Sequence, residues 1–300
     1  MHTHLSWLEA GVIGILQGVT ELFPVSSLGH SVLIPAVVGG SWSRDLNVRA
    51  PESPYLAFIV GLHVATAIAL IIYFWRDWVR IVRGLVTSIV RREINDPDQR
   101  LAWLLVLATI PVGIVGLLLE HLFRTTLSRP NPTAAFLIVN GLVLLAIERA
   151  RRRERTDQRY VDERVSGAES DGRLAQLPVL RAVAIGSAQI LALAPGISRS
   201  GVATTTGMSF GLSREDAGRF AFLLATPVIL AAGALKIGDL TGPLGEGIRG
   251  QVIFGSVLSG IGAYLSVRFL TRYLANRSLR PFGAYCIVAG AACLTWFAIR

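Results

Sequence analysis

Apolar residues run along this chain in blocks too long, and too nearly free of charge, to be single faces of soluble helices. Six of them approach or reach the roughly 20 residues that cross a hydrocarbon core of about 30 Å. They are Pro54–Trp75, Leu101–Leu119, Thr133–Ile147, Phe220–Ile237, Val252–Leu270 and Phe282–Ile299; the third and fourth are short and borrow flanking residues. Two further apolar stretches are interrupted. Trp7–Val38 contains Gln17, Glu21, Pro24, Ser26, Ser27, Gly29, His30 and Pro35. Ala182–Leu212 contains Gln189, Pro195, Gly196, Ser198, Arg199, Ser200 and Gly201. Each reads as apolar helix, polar break, apolar helix. Broken backbone at membrane depth is tolerated only where protein or a wet cavity surrounds it. The pattern therefore predicts an all-α polytopic membrane protein, with about six full spans and two re-entrant helical hairpins.

Composition agrees and adds orientation. The 300 residues are 52% hydrophobic and only 16% charged, against roughly 25% charged in an average soluble domain. Soluble and disordered classes are thereby excluded. The net charge is +9, carried almost wholly by arginine, with Lys236 the sole lysine. No nucleic-acid recognition motif accompanies that charge, so no nucleic-acid partner is expected. The arginines lie between apolar blocks and read as orientation signals and contacts with membrane lipid headgroups. Segments 76–100, 148–181 and 271–281 are arginine-rich, whereas 39–53 and 238–250 balance arginine with acid. The Lys/Arg bias places the first three in the cytoplasm and the last two outside. The alternation closes only if both interrupted stretches return to the side they entered, and it leaves both termini outside. Cys286 and Cys293 fall two turns apart on one helix, too far for a disulfide, and read as packing residues.

The same alternation divides one integral membrane domain, 1–300, into repeats of opposite orientation. These are about 1–147 and 182–300, joined by the arginine-rich linker 148–181. Pro24-Val-Ser26-Ser27-Leu-Gly29 resembles Pro195-Gly-Ile-Ser198-Arg199-Ser200-Gly201. Inverted-topology repeats place a site near the midplane, where broken helix ends meet.

Candidate chemistry sits in those two breaks. Gln17 and Glu21 are four residues apart on one helix face, and an ionisable group at such depth marks function by default. Ser26 and Ser27 follow Pro24, where a new helix starts and one serine serves as an N-cap; His30 follows within a turn. Ser, His and Glu together suit nucleophilic attack with managed protons. In the second break, Ser198, Ser200 and free backbone N–H groups surround Arg199, whose guanidinium fork matches phosphate oxygens. An alternative is that Arg199 pairs with Glu21; the two roles are compatible. Thr204 adds a hydroxyl or bonds back within its own helix. His63 suits packing as well as a site. No cluster has zinc-ligand spacing, and no P-loop or dinucleotide fingerprint is present.

Gln17-Gly-Val-Thr-Glu21-x-x-Pro24-Val-Ser26-Ser27-x-Gly29-His30, with Pro195-Gly-x-Ser198-Arg199-Ser200-Gly201, resembles the bacitracin-resistance family of undecaprenyl-diphosphate phosphatases (BacA/UppP). Similarity extends through Gly61–Ala67, Tyr73–Asp77, Arg219–Pro227 and Pro281–Tyr285, essentially the whole chain. The resemblance implies an inner-membrane phosphatase that converts undecaprenyl (polyprenyl) diphosphate to the monophosphate. That reaction renews the lipid carrier for peptidoglycan and confers bacitracin resistance. The family's acidic pair falls on Gln17 and Glu21, its Ser and His on Ser27 and His30, and its phosphate-binding Ser-Arg on Ser198 and Arg199. Departures are Gln17 at the first acidic position, Ala203 where Thr is usual, and Cys286 where Arg is frequent. On this reading Arg199, Ser198, Ser26 and Ser200 bind phosphate, supported by Gln17 and Thr204. Ser27 attacks, with His30 and Glu21 handling protons; attack by His30, or by water with Glu21 as base, stays open. A divalent ion, Mg or Ca, could assist, with Glu21 its one obvious ligand. The rival class is a lipid-phosphate transporter or flippase of the same architecture. Oligomeric state is left open.

Overall fold

The computed structural model describes residues 5–47, 54–122, 126–154, 167–242 and 247–299. Arg49 and Glu52, Glu246, and Arg155, Arg159 and Arg164, which contribute to the loop charges above, lie outside these residues. The described residues form thirteen α-helices and no strand: α1 (Trp7–Thr20), α2 (Ser27–Val38), α3 (Gly40–Asp45), α4 (Pro54–Tyr73), α5 (Trp75–Arg91), α6 (Pro97–Leu122), α7 (Pro130–Glu154), α8 (Gly167–Ala175), α9 (Val179–Ala188), α10 (Arg199–Ser209), α11 (Arg214–Thr241), α12 (Arg249–Asn276) and α13 (Arg280–Ile299). A 3-10 turn, Gln189–Leu193, extends α9 towards α10.

The six predicted spans fall on α4, α6, α7, α11, α12 and α13. Five of these are long and apolar enough to cross a membrane alone, and α4 passes the same test together with α5. The chain is thus an all-α, multi-pass membrane protein. The first span ends earlier than its apolar run suggests, because α5 turns away from α4 by 89° at Phe74. The reason is amphipathic sequence. Trp75, Val79, Val82, Val86 and Val90 are exposed along α5, interleaved with Arg76, Arg80 and Arg83. Such a helix lies in a membrane interface rather than through it. α11 is the central span, and Phe220, Leu223 and Leu224 pack in one core with Leu70 of α4 and Leu101, Leu104 and Leu105 of α6.

The arginine-rich segments gather at one end of the bundle. The described part of 148–181 is folded into that end, since α7 runs on to Glu154 and α8 packs against α6 and α11. Buried Asp171 accepts from Arg80 Nη2 and Arg219 Nε, both at 2.7 Å. Asp216 takes Arg173 through two nitrogens at 2.9 and 2.7 Å. Glu148 takes Arg214 at 2.6 and 2.7 Å and the Leu279 N–H at 3.0 Å. The Asp171 and Asp216 pairs tie α8 to α5 and α11, so that neither buried carboxylate is stranded. At the opposite end Leu5, Leu46, Tyr55 and Ile248 share a second core. α13 runs antiparallel to α7, with Gly290 beside Ala134 and Gly283 beside Gly141, so both described chain ends lie there.

One seam positions the site. Gly14 and Gly18 of α1 face Gly255 and Ser259 of α12, so closely that an added Cβ on Gly18 would stand 2.3 Å from the Ser259 carbonyl oxygen. Small residues four apart let membrane helices meet backbone to backbone. Gly18 lies between Gln17 and Glu21, so this seam sets the depth of both. Gly18→Val should lower the thermal midpoint in detergent, as overpacking by about 1–3 kcal/mol predicts. Gly113→Ala, where nothing lies within 4 Å, should not. Equal stability of Gly18→Val and wild type would show that the seam does not fix α1.

Candidate active site

α1 ends at Thr20, and the backbone turns through Glu21–Val25 before α2 begins. Ser26 caps α2 from a left-handed conformation, φ +68°, that a non-glycine residue adopts only under constraint. The constraint is visible. Ser26 Oγ accepts the Gly29 N–H at 3.2 Å and, across the repeats, the Gly196 N–H at 3.1 Å. Gly196 has φ +105°, and a Cβ there would lie 2.3 Å from the Thr133 carbonyl oxygen, so glycine alone fits. Ser198 caps α10, accepting the Gly201 N–H at 3.2 Å. The α2 and α10 N-termini thus open onto one junction.

Polar side chains complete the join. The Phe23 carbonyl accepts the Ser198 and Ser200 hydroxyls at 3.3 and 3.2 Å. Asn140, in the middle of α7, donates to the Pro24 carbonyl at 2.9 Å and accepts the Ser198 N–H at 3.0 Å. One carboxamide therefore satisfies a backbone group of each broken helix. Nothing in the sequence singles out Asn140 beyond a lone amide in an apolar run.

Glu21 is the hub. Arg199 ion-pairs with Glu21 Oε1. Oε2 accepts from Ser27 Oγ at 2.5 Å and Gln17 Nε2 at 2.8 Å, and His63 Nε2 stands 3.3 Å away. Gln17, Glu21, Ser26, Ser198 and Ser200 are buried; Ser27, Arg199 and His63 keep partly open faces. His63 lies nine residues from one end of α4 and ten from the other, about 14 and 15 Å at 1.5 Å per residue, which is mid-span. Its spacing alone does not separate a site role from a packing role; the structure assigns it to the site.

His30 is not brought to Ser27. Its Nδ1 lies 2.7 Å from the Ser26 carbonyl, which can only accept, so Nδ1 carries a proton. Nε2, 2.7 Å from the Tyr285 hydroxyl, is then the acceptor. Thr204 is buried on α10, four residues beyond Ser200, and neighbouring Thr205 bonds back to the Gly201 carbonyl at 2.8 Å. Cys286 is a buried free thiol beside Asn140. Among the described residues no group of three or more His, Cys, Asp or Glu gathers to hold a metal. Glu21 is the junction's carboxylate, and both its oxygens are already engaged. A Mg or Ca ion here would draw its other oxygens from water and substrate phosphates, with Glu21 as its one protein carboxylate.

These features define a polytopic membrane protein whose two broken helices bring Ser27, Glu21 and Arg199 together in one intramembrane junction. The chain belongs to the family described as bacitracin resistance protein BacA, whose model matches residues 10–292. It is 62% identical over 305 residues to a protein of Mycolicibacterium paratuberculosis named undecaprenyl-diphosphatase, with all of both chains covered. It is 49% identical to undecaprenyl-diphosphatase 1 of Frankia casuarinae, covering 98% of this chain and 99% of that one. Undecaprenyl-diphosphatase 2 of Burkholderia lata is 41% identical, with 96% of each chain covered.

The bridging role of Asn140 is directly testable. Asn140→Ala leaves the Ser198 N–H without a partner and the Pro24 carbonyl with only the Cys286 thiol at 3.9 Å; an unpaired buried group costs about 1–3 kcal/mol. The variant should insert but melt earlier in detergent and lose turnover. Wild-type stability and rate would show that the two tips hold together without it.

Proposed function

We propose that this chain hydrolyses undecaprenyl diphosphate to undecaprenyl phosphate and inorganic phosphate, with the terminal phosphoryl group bound where the two broken helices meet. The observation that carries the reading is the 2.5 Å contact of Ser27 Oγ with Glu21, beside Arg199. A carrier needs no hydroxyl held against a base, so this contact favours the enzyme over a flippase.

The resting arrangement suggests its own trigger. A diphosphate brings oxygens that compete with Glu21 for the Arg199 guanidinium, whose planar fork holds two of them. The α2 and α10 N-termini and the Ser26, Ser198 and Ser200 hydroxyls add donors. Released from Arg199, Glu21 keeps its contact with Ser27 Oγ and takes the Ser27 proton. Ser27 Oγ then attacks the terminal phosphorus, and the bond to the bridging oxygen breaks with its electron pair leaving on undecaprenyl phosphate. Glu21 sheds the Ser27 proton to solvent, then takes one from the water that frees phosphate from the serine, and returns it to Ser27 Oγ. His30, turned to Tyr285, supports α2 rather than the proton path. A Mg or Ca ion arriving on the diphosphate would be substrate-borne, with Glu21 its protein carboxylate; the steps above belong to the chain's own residues.

Orientation and repeats belong to the same proposal. The arginine-rich end faces the cytoplasm of the cell inner membrane, both termini lie outside, and 1–147 and 182–300 are inverted repeats about 148–181. The Lys/Arg bias supports this, as does the gathering of the three basic segments at one end. Gln176 is exposed at that end and Ser43 at the other. In intact cells, Gln176→Cys should resist an impermeant thiol reagent and Ser43→Cys should react. The reverse pattern would invert the topology.

Phosphate release from undecaprenyl diphosphate by the purified protein tests the reaction. Ser27→Ala should lose nearly all turnover at unchanged protein level. Arg199→Lys, which keeps a charge but loses the fork, should cost about 2–4 kcal/mol of transition-state stabilisation, roughly 30- to 1000-fold in rate. Near-normal turnover of Ser27→Ala would assign the attack to water; equal rates for Arg199→Lys would remove the bidentate contact.

A further inference from the structure

Several arginines at the basic end of the bundle are matched by acid. Among the described residues, Arg80, Arg173, Arg214 and Arg219 each hold a carboxylate. Arg268 and Arg272, on the last turns of α12, and Arg277 just past it are exposed, and among the described residues none of them holds one. A helix dipole favours cations only within its last turn, which covers Arg277 but not Arg268. The three instead line one groove of about 510 Å³, together with Leu265, Phe269 and Tyr273. Phe269 and Tyr273 stack with centroids 5.4 Å apart. The Tyr273 hydroxyl donates to the Ser278 carbonyl at 3.0 Å, which holds its ring against the turn after α12.

Depth sorts these residues by polarity. Ser259 Oγ donates to the Leu62 carbonyl, beside mid-span His63, so Ser259 marks the membrane centre on α12. At 1.5 Å per residue, Leu265 lies about 9 Å from that level, Phe269 about 15 Å and Arg272 about 20 Å. The hydrocarbon half-thickness is about 15 Å. Leu265 and the exposed face of Phe269 therefore border acyl chains. Arg272 and Arg277 stand among headgroups, and Arg268 reaches them along its own apolar stem.

We propose that this groove binds one anionic phospholipid of the leaflet at the arginine-rich end, with the phosphodiester on Arg268, Arg272 and Arg277 and an acyl chain along Leu265 and Phe269. Charge complementarity selects the occupant. Three cations without a carboxylate require a phosphate, and the apolar strip running towards the membrane centre matches the chain attached to it. The substrate's own phosphates belong elsewhere. Glu21 lies within a turn of Gly18, which faces Ser259 at the membrane centre. The groove also touches the support of that site. Phe269 stacks on Phe23 at 5.8 Å, with planes 8° apart, and the Phe23 carbonyl carries the Ser198 and Ser200 hydroxyls. A chain seated on Phe269 braces the tip of the first broken helix, so the bound lipid raises turnover. That effect rests on the phosphatase reading above; the binding does not.

Native mass spectrometry of purified full-length protein, with added dioleoylphosphatidylglycerol or dioleoylphosphatidylcholine, tests the binding. Wild type should retain the anionic lipid at least about tenfold better. Arg268→Gln with Arg272→Gln removes two cations worth roughly fivefold each and should bring the ratio to within about threefold. Arg268→Lys with Arg272→Lys keeps both charges and should keep the preference. Arg76→Gln with Arg83→Gln, which removes two exposed arginines from α5, should leave it unchanged. Equal retention of the two lipids by wild type would overturn the proposal. So would an equal loss from the α5 pair, which would reduce the effect to overall surface charge. Undecaprenyl phosphate at the same concentration should not displace phosphatidylglycerol; displacement would give the groove to the carrier lipid and overturn the proposal too. Turnover is read in nanodiscs of phosphatidylcholine, alone or mixed with phosphatidylglycerol. Phosphate release by wild type should rise at least about twofold in the mixture, and release by the Arg268→Gln, Arg272→Gln variant should not. An unchanged rate with intact binding would overturn the brace. No release in either lipid, with the binding preference intact, would keep the lipid site and remove the phosphatase reading.

Discussion

A carboxylate and a guanidinium cannot stand alone in the middle of a membrane, and each broken helix of this protein carries one of them. Burying either charge by itself costs several kcal/mol even after relaxation, and removing one member of a buried pair typically costs about 3–5 kcal/mol. Glu21 and Arg199 are 178 residues apart and meet. Their meeting forces the two tips together, and with them every backbone group that the breaks leave unpaired. Phe23 and Pro24 need donors for their carbonyls; Gly196 and Ser198 need acceptors for their N–H groups. The hydroxyls of Ser26, Ser198 and Ser200 and the carboxamide of Asn140 supply them. The groups that make the breaks tolerable are thus the groups that line the junction.

The rest of the bundle serves that meeting. Glycines let helices approach at contact distance where a larger residue would push the tips apart. Gly14 and Gly18 do so against α12, Gly186 against the Ala108 carbonyl, and Gly196 against α7. At the arginine-rich end, Asp171, Asp216 and Glu148 tie α8, α11 and the start of α13 into one network. These pairs are anchored by two or more hydrogen bonds each and sit on segments that join distant parts of the chain. They fix the outer ends of the helices whose inner ends form the site.

Much of this is legible in the order of residues alone. Charge-free length marks the spans, the Pro, Gly and Ser clusters mark the breaks, and Glu21 and Arg199 stand out because ions in apolar runs are costly. What a linear pattern hides is contact between distant residues. His63 and Asn140 are each a lone polar group in an apolar stretch of helix, and nothing local separates a packing residue from a site residue there. Their partners lie 42 to 116 positions away. His30 differs in the opposite sense. Its three-residue spacing from Ser27 suggests a pair, but helix geometry turns the ring to Tyr285 and leaves Ser27 to Glu21. The corner at Phe74 is blurred because Trp75 continues the apolar run, and α8 is hidden inside a segment whose composition reads as linker.

The central claim is that a terminal phosphate replaces Glu21 on Arg199 at the junction of the two hairpins. A structure with a polyprenyl methylenediphosphonate, which cannot be hydrolysed, tests it most directly. The account predicts the terminal phosphonate on the Arg199 guanidinium, within reach of Ser27 Oγ, with Glu21 released from Arg199 but still against Ser27. An intact Glu21–Arg199 pair, with the phosphonate bound elsewhere, would contradict it.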